Sequence, residues 1–156
     1  MSLKVKDVMV KDVITVEADY TVKYAAKTMN RMGIGCLIVL EKGKVVGILT
    51  ERDLLKKIVA VAKDPEKTFV KDIMSRPVFV VRPDAPFEEA VEMMYKKKIK
   101  KLAVMEDPDK NKRLVGLVTL TDICRFQPKI IKTLKKLFGR EAPPESMQKV
   151  INYYIV

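Results

Sequence analysis

Hydrophobic and polar positions along residues 13–63 follow two different periods. Apolar residues at helical spacing predict an amphipathic helix whose buried face is formed by Val22, Ala25, Ala26 and Met29. Short apolar runs at 34–40 and 45–49, separated by a turn, predict two paired strands, and the run at 13–16 predicts a strand before the helix. A second helix is expected from Glu51, with an inward face formed by Leu54, Leu55, Ile58 and Val59. The predicted order is strand, helix, strand, strand, helix.

The same order occurs twice in the chain. Sliding the sequence by 65 residues aligns 5–9 with 70–74, and 13 of the 37 positions from 5 to 41 are then identical. The second copy has four extra residues in the loop at 107–112, after which the offset is 69. A unit of about 60 residues buries little surface alone, so the two copies are expected to pack together. The duplication predicts an α+β fold of two β-α-β-β-α repeats related by a pseudo-twofold axis.

The boundaries of the duplication divide the chain into four segments. The first repeat occupies residues 4–63, a linker follows at 64–69, and the second repeat occupies 70–125. Residues 126–156 match neither repeat and contain six Lys or Arg residues against two acidic residues. Apolar residues at helical spacing and a closing glycine predict a basic helical C-terminal extension there.

Composition narrows the classes of function. The chain has no histidine, which removes the commonest general base and the commonest metal ligand, so no catalytic residue and no metal site are expected. The formal net charge of +11 favours anionic partners, such as nucleotides, nucleic acid or an acidic protein surface. Cys36 and Cys124 are far apart within apolar sequence, so both are interpreted as small core residues rather than a disulfide.

The sequence also bears on location. No apolar run approaches the roughly 20 residues that cross a bilayer, and the first residues lack the apolar core of a signal peptide. The chain is therefore expected in the cytoplasm and away from membranes.

Both repeats close with the pattern Gly-x-x-Thr-x-x-Asp, as Gly47 to Asp53 and Gly116 to Asp122. Thr followed three residues later by an acid is a common helix start, in which each side chain accepts a backbone N–H of the other residue. A helix start can also receive a phosphate, and an Asp one turn later can accept two ribose hydroxyls. Because Gly, Thr and Asp all recur in both copies, a shared ligand geometry is favoured over capping alone.

These residues resemble a known family, the tandem cystathionine-β-synthase (CBS) domain pair, also called the Bateman module. The resemblance covers residues 4–125 and rests on the Lys-Asp-x-Met openings of both repeats and on the two Gly-x-x-Thr-x-x-Asp closures. Within this family, the chain resembles the stand-alone CBS-domain proteins of prokaryotes, including those of archaea. Ile38 and Ala103 stand where the family often has proline. The resemblance implies a homodimer and the binding of adenosine-containing ligands in clefts between the copies.

The resemblance also implies which residues form each cleft. The first cleft would combine one turn with residues of the second repeat: Ile48, Thr50, Asp53, Val78, Phe79, Lys100 and Lys101. The second would combine the other turn with residues of the first repeat: Leu117, Thr119, Asp122, Val13, Ile14, Gly35 and Cys36. In both, Thr would lie on the phosphate side and Asp would bind the ribose.

The two clefts carry different charge in this interpretation. Lys100, Lys101 and Arg52 are assigned to the first cleft, whereas Gly35 and Cys36 in the second are uncharged. The first cleft is therefore expected to prefer AMP, ADP or ATP, and the second a less charged adenosine derivative. S-adenosylmethionine and NADH remain open as ligands.

The expected function is that of a regulatory module that binds an adenosine nucleotide, senses energy or a metabolite, and has no catalytic activity of its own. Its expected partners are a second copy of the chain and an unknown regulated protein. The alternative is a nucleotide-modulated nucleic-acid-binding protein, which the basic extension would serve.

Overall fold

The computed structural model describes residues 3–110 and 113–126. Its elements in chain order are α1 (Val5–Val8), β1 (Thr15–Glu17), α2 (Val22–Met32), β2 (Cys36–Glu41), β3 (Lys44–Thr50), α3 (Glu51–Leu54), α4 (Val70–Ile73), β4 (Val80–Val81), α5 (Phe87–Lys97), β5 (Lys101–Glu106), β6 (Arg113–Thr119) and α6 (Leu120–Phe126). A π-helix, Leu55–Val59, continues α3, and a short 3-10 helix, Pro108–Lys110, lies between β5 and β6. Apart from Phe126, the predicted C-terminal extension lies outside the described residues.

The chain forms two compact units that do not coincide with the two repeats. Residues 12–78 form one, here called the first unit. The second unit joins the described residues up to Lys11 to those from Phe79 onward. The opening segment of each repeat therefore belongs to the unit that contains the strands of the other repeat.

Each unit contains a three-stranded mixed sheet with the predicted pairing. In the first unit β1 is parallel to β2, which is antiparallel to β3, and in the second unit β4, β5 and β6 repeat this arrangement. The registers match as well, because Val39 pairs with Gly47 and Val104 with Gly116, each next to an irregularity in the pairing. The α+β fold with two repeats is confirmed, while the pseudo-twofold axis stays a prediction.

The apolar faces that the periodicity predicts supply the core of each unit. In the first unit Val22, Ala25 and Met29 of α2 pack with Leu37, Val39 and Leu49 of the sheet. In the second unit α5 contributes Phe87, Ala90, Val91 and Met94, which pack with Leu102, Val104 and Val118. Cys36 and Cys124 are buried thiols, in agreement with the interpretation from the sequence.

The opening segments make the same backbone contacts in both units. In the first, the Val70 amide donates to the Tyr20 carbonyl at 2.9 Å, and the Lys71 amide donates to Ala18 at 2.9 Å. In the second, the equivalent amides of Val5 and Lys6 donate to Ala85 and Pro83 at 2.9 and 3.0 Å. The apolar side chains of both segments are buried, namely Val5, Val8, Val70 and Ile73. Each opening segment is therefore part of the core of its unit.

The helix after β3 differs from its prediction. Ile58 is buried, but Leu55 and Val59, which were predicted to face inward, are 60% and 68% exposed. The reason is the π-helical segment, in which the Ala60 amide donates to the Leu55 carbonyl five residues back at 2.9 Å. A wider turn rotates successive side chains away from the 3.6-residue period on which the prediction rests.

No helix within the described part of the chain is long and apolar enough to cross a membrane.

Candidate functional site

The two Gly-x-x-Thr-x-x-Asp turns occupy equivalent places in the two units. Thr50 ends β3 immediately before α3, and Thr119 ends β6 immediately before α6. At the first turn Thr50 Oγ1 accepts from the Asp53 amide at 3.3 Å, and Asp53 Oδ2 accepts from the Thr50 amide at 3.0 Å. This is a complete capping box, which stabilises a helix by about 1 kcal/mol. Capping therefore accounts for part of the motif.

The second turn is held by a similar but smaller set of contacts. Thr119 Oγ1 accepts from the Asp122 amide at 3.0 Å. The same hydroxyl donates to Asp122 Oδ2 at 2.6 Å, as a hydroxyl can do both at once. Thr and Asp thus fix each other's position at the start of α6.

The glycine of each motif is explained by packing. A Cβ added to Gly47 would lie 2.4 Å from Met74 Sδ, and one added to Gly116 would lie 2.4 Å from Met9 Sδ. These methionines are the last residues of the two Lys-Asp-x-Met openings. The openings and the closures are therefore complementary surfaces, and the recurrence of glycine does not require a ligand.

Asp53 is enclosed by donors from its own unit. It is 6% exposed, and its Oδ1 accepts from Lys57 Nζ at 2.9 Å and from Ser75 Oγ at 2.8 Å. Its Oδ2 accepts from the amide and the hydroxyl of Thr50 at 3.0 and 3.1 Å. Lys57 also donates to the Ile73 carbonyl at 2.7 Å. Lys57 therefore connects the acid to the opening segment of the second repeat.

The charge state of Asp53 follows from this environment. Burial raises the pKa of the carboxyl, but hydrogen bonds from Lys57, Thr50 and Ser75, together with the positive charge of Lys57, outweigh it. The pKa of Asp53 is held below its ordinary value, so the carboxylate is ionised at neutral pH.

Asp122 has a different environment, although the surrounding backbone is the same. Val10 and Leu117 exchange two hydrogen bonds at 2.8 and 2.9 Å, as Ser75 and Ile48 do at 2.8 and 3.1 Å. Val10 therefore takes the place of Ser75, and Phe126 takes the sequence position of Lys57. Asp122 is half-buried, and among residues 3–110 and 113–126 no side chain donates a hydrogen bond to its Oδ1.

The residues opposite each turn also differ between the units. Lys101 pairs with Thr119 across β5 and β6, whereas Cys36 pairs with Thr50 across β2 and β3. Directly opposed residues in an antiparallel pair have their side chains on the same face of the sheet. The Lys100 carbonyl accepts from the Leu120 amide at 2.9 Å, as Gly35 accepts from Glu51 at 3.1 Å. The two lysines thus lie beside Thr119 within one unit.

The predicted site residues, including those of the two turns, are divided between the two units. The first unit contains Val13, Ile14, Gly35, Cys36, Ile48, Thr50, Arg52, Asp53 and Val78. The second contains Phe79, Lys100, Lys101, Leu117, Thr119 and Asp122. Ile14 and Phe79 are equivalent, because their carbonyls accept from Ile38 and Ala103 at 3.3 and 3.1 Å. The two predicted clefts take residues from both units, and their composition stays a prediction.

Two residues next to the turns were not identified from the sequence. Lys57 is four residues after Asp53 on a helix, a spacing that places two side chains side by side and could have revealed it. Ser75 is 22 residues from Asp53, and its proximity follows only from the pairing of the opening segment with β3.

Within residues 3–110 and 113–126, no group of three or more Cys, Asp and Glu side chains could hold a metal ion.

The chain contains two mixed three-stranded sheets of the same topology, each followed by the same strand-to-helix turn. These features place it in the class of tandem α+β repeat modules. The CBS domain family model matches residues 5–60 and 70–129. The chain therefore belongs to the CBS-domain family, and its two domains make it a CBS-pair regulatory module.

Known proteins support this assignment. An uncharacterized protein of Methanopyrus kandleri, MK0525, is 38% identical over 136 residues, covering 86% of this chain and 68% of that protein. Inosine-5'-monophosphate dehydrogenase of Methanocaldococcus jannaschii is 38% identical over 123 residues, but these cover 23% of the enzyme. The solved CBS domain pair of protein MJ0100, in complex with 5-methylthioadenosine and S-adenosyl-L-methionine, is 31% identical with a TM-score of 0.71. That match covers 81% of this chain and 96% of the other.

Proposed function

We propose that this CBS pair binds an adenosine-containing ligand, responds to it as a sensor of energy or of a metabolite, and has no catalytic activity of its own. AMP, ADP and ATP are the favoured ligands, because the net charge of +11 favours anions. S-adenosylmethionine and NADH also contain adenosine and belong to the same class.

The observation that carries the proposal is the Thr119–Asp122 turn. A carboxylate fixed at one oxygen by Thr119, with its second oxygen open among the described groups, can accept a hydrogen bond from a ribose hydroxyl. Lys101, on the same face of the sheet as Thr119, provides positive charge for a phosphate. The adenosine ligands of the MJ0100 domain pair support the same class of ligand here.

Isothermal titration calorimetry of the whole chain with AMP, ATP and S-adenosylmethionine tests the proposal. At least one of the three is expected to bind, with weaker binding to Asp122→Asn because the amide removes the charge that strengthens hydrogen bonds from ribose. Binding without turnover of ATP would agree with a sensor, whereas steady hydrolysis would contradict the absence of catalysis. The absence of heat with all three ligands would refute the proposed ligand class.

A homodimer and a cytoplasmic location belong to the same proposal. Leu55, Val59 and Val61 are 60%, 68% and 58% exposed on one short stretch of the first unit. Exposed aliphatic residues close together often mark an interaction surface, and a second copy of the chain would cover them. Ligand binding would act on a regulated protein by favouring one arrangement of the domains.

A second candidate function is nucleotide-modulated binding of nucleic acid, which the net charge of +11 favours. A mobility-shift assay with single- and double-stranded probes would test it at several salt concentrations. Affinity should fall steeply with salt if phosphates are contacted. No shift at low salt would exclude this candidate.

A further inference from the structure

We infer that Lys57 and Ser75 close the Thr50–Asp53 turn to a ribose diol, so that the chain binds one adenosine ligand, at the Thr119–Asp122 turn. The inference rests on the proposed function and reverses the expectation that the first turn is the preferred phosphate-side site. It assigns to Lys57 and Ser75 the role of determining how many ligands the chain binds.

The first step is the number of donors around Asp53. A carboxylate offers about four acceptor positions, and Asp53 uses four hydrogen bonds from Lys57, Ser75 and Thr50. A ribose diol needs two acceptor positions. To bind Asp53, a ribose diol would have to displace donors that already satisfy this carboxylate, which is only 6% exposed. The exchange would not increase the number of hydrogen bonds that Asp53 accepts.

The second step is that Lys57 and Ser75 are themselves held in place. Lys57 Nζ donates to the Ile73 carbonyl at 2.7 Å as well as to Asp53. Ser75 is fixed by two backbone hydrogen bonds to Ile48, at 2.8 and 3.1 Å. Opening the turn would therefore break contacts on both sides of the carboxylate.

The third step is that the second turn has the same backbone without these donors. Val10 is paired with Leu117 as Ser75 is paired with Ile48, but valine has no hydroxyl. Phe126 follows Asp122 at the spacing of Lys57 from Asp53, and phenylalanine has no ammonium group. Side-chain chemistry, and not the path of the chain, distinguishes the two turns.

Titration calorimetry of the whole chain with AMP tests the number of sites. The wild type is expected to bind one AMP per chain, and Asp122→Asn is expected to bind it much more weakly. The double variant Lys57→Met, Ser75→Val should gain a second site, since it removes from the first turn the two side-chain donors that have no counterpart at the second. Lys56→Met is the matched control, because it removes the same charge from an exposed neighbour.

A second variant tests the same inference in the opposite direction and does not disturb Asp53. Val10 is 43% exposed, and its backbone pairs with Leu117 as the backbone of Ser75 pairs with Ile48. Val10→Ser therefore introduces a hydroxyl at the position equivalent to Ser75. It should weaken AMP binding about tenfold, because a hydrogen bond to a charged acceptor must be broken first. Val10→Ala, which shortens the side chain without adding a donor, should bind as the wild type does.

The outcomes separate this inference from the proposed function. Two AMP molecules per wild-type chain, or one that is lost in Asp53→Asn and kept in Asp122→Asn, would overturn the inference and leave the function intact. A folded double variant that still binds one AMP, or equal affinities of Val10→Ser and Val10→Ala, would also overturn it. No heat with AMP, ATP or S-adenosylmethionine would refute the proposed function itself.

Discussion

At the scale of single residues, two identical motifs acquire different chemistry from their neighbours. Thr50 and Asp53 match Thr119 and Asp122 in sequence, yet Asp53 is enclosed by donors and Asp122 is half-buried with an open oxygen among the described groups. The motif itself was evident from the sequence. The difference was only partly evident, because Lys57 follows Asp53 at helical spacing, whereas only the folded chain brings Ser75 to Asp53.

The enclosed acid predicts a pH dependence of stability. The folded-state pKa of Asp53 is depressed, so its contribution is fully present above the unfolded-state pKa of about 3.9 and is lost as the pH falls through the folded-state value. Asp53→Asn should lower the free energy of unfolding by about 1–3 kcal/mol at neutral pH, and by less at an acidic pH below the unfolded-state pKa of about 3.9. Urea unfolding at both pH values measures this difference.

The control for this prediction is Asp12→Asn, which changes an exposed acid of the same unit and should alter stability little. A loss of stability in Asp53→Asn that is the same at both pH values would contradict the role of the carboxylate charge.

Close packing at Gly47 predicts the effect of adding one methyl group. In Gly47→Ala the new Cβ would meet Met74 Sδ at 2.4 Å and the Ser75 carbonyl oxygen at 3.2 Å, so the structure must shift. We expect a loss of about 1–3 kcal/mol in the free energy of unfolding. Chemical denaturation should show a smaller loss for Gly35→Ala, whose Cβ would lie 3.3 Å from the end of the Glu51 side chain. Equal losses in the two variants would contradict this packing.

At the scale of elements, hydrophobic periodicity located most strands and helices. The run at 45–49 became Lys44–Thr50, and the helix predicted from Glu51 begins there. The π-helical segment could not be predicted, because a local change to i to i+5 hydrogen bonds leaves no mark on a 3.6-residue pattern. For that reason the sequence placed Leu55 and Val59 in the core although both are exposed.

This exposed surface gives a prediction about association. Leu55→Glu should leave the first unit folded, since the side chain is already 60% exposed, and should shift the proposed homodimer toward monomer. Light scattering coupled to size-exclusion chromatography measures the mass of the species. Met32→Glu makes the same charge change at a residue that is 47% exposed elsewhere, and is expected to remain dimeric. A mass that is the same for the wild type and Leu55→Glu would argue against this surface as the interface.

At the scale of the whole molecule, the repeats of the sequence and the units of the structure are offset from each other. The duplication could be read from the aligned residues, but the exchange of opening segments could not, because local periodicity carries no information on which sheet a short helix joins. Val5 and Val8, buried in the second unit, illustrate this, since they lie in the first repeat.

The exchange predicts that the first residues support a distant part of the chain. Deletion of residues 1–11 should destabilise the second unit, which would lose the buried side chains of Val5 and Val8 and the Val10 partner of Leu117. Hydrogen exchange followed by mass spectrometry should detect faster exchange in β6 than in β3. Unchanged protection of β6 would contradict the assignment of the opening segment to this unit.

The central claim is that this CBS pair binds an adenosine-containing ligand through the Thr119–Asp122 turn. Native mass spectrometry of the whole chain with AMP measures it most directly, because the added mass counts the ligands on each chain. We predict one AMP per chain in the wild type and none in Asp122→Asn at the same concentration. A wild-type chain that gains no mass from AMP, ATP or S-adenosylmethionine, or an Asp122→Asn variant that binds AMP as well as the wild type does, would contradict the claim.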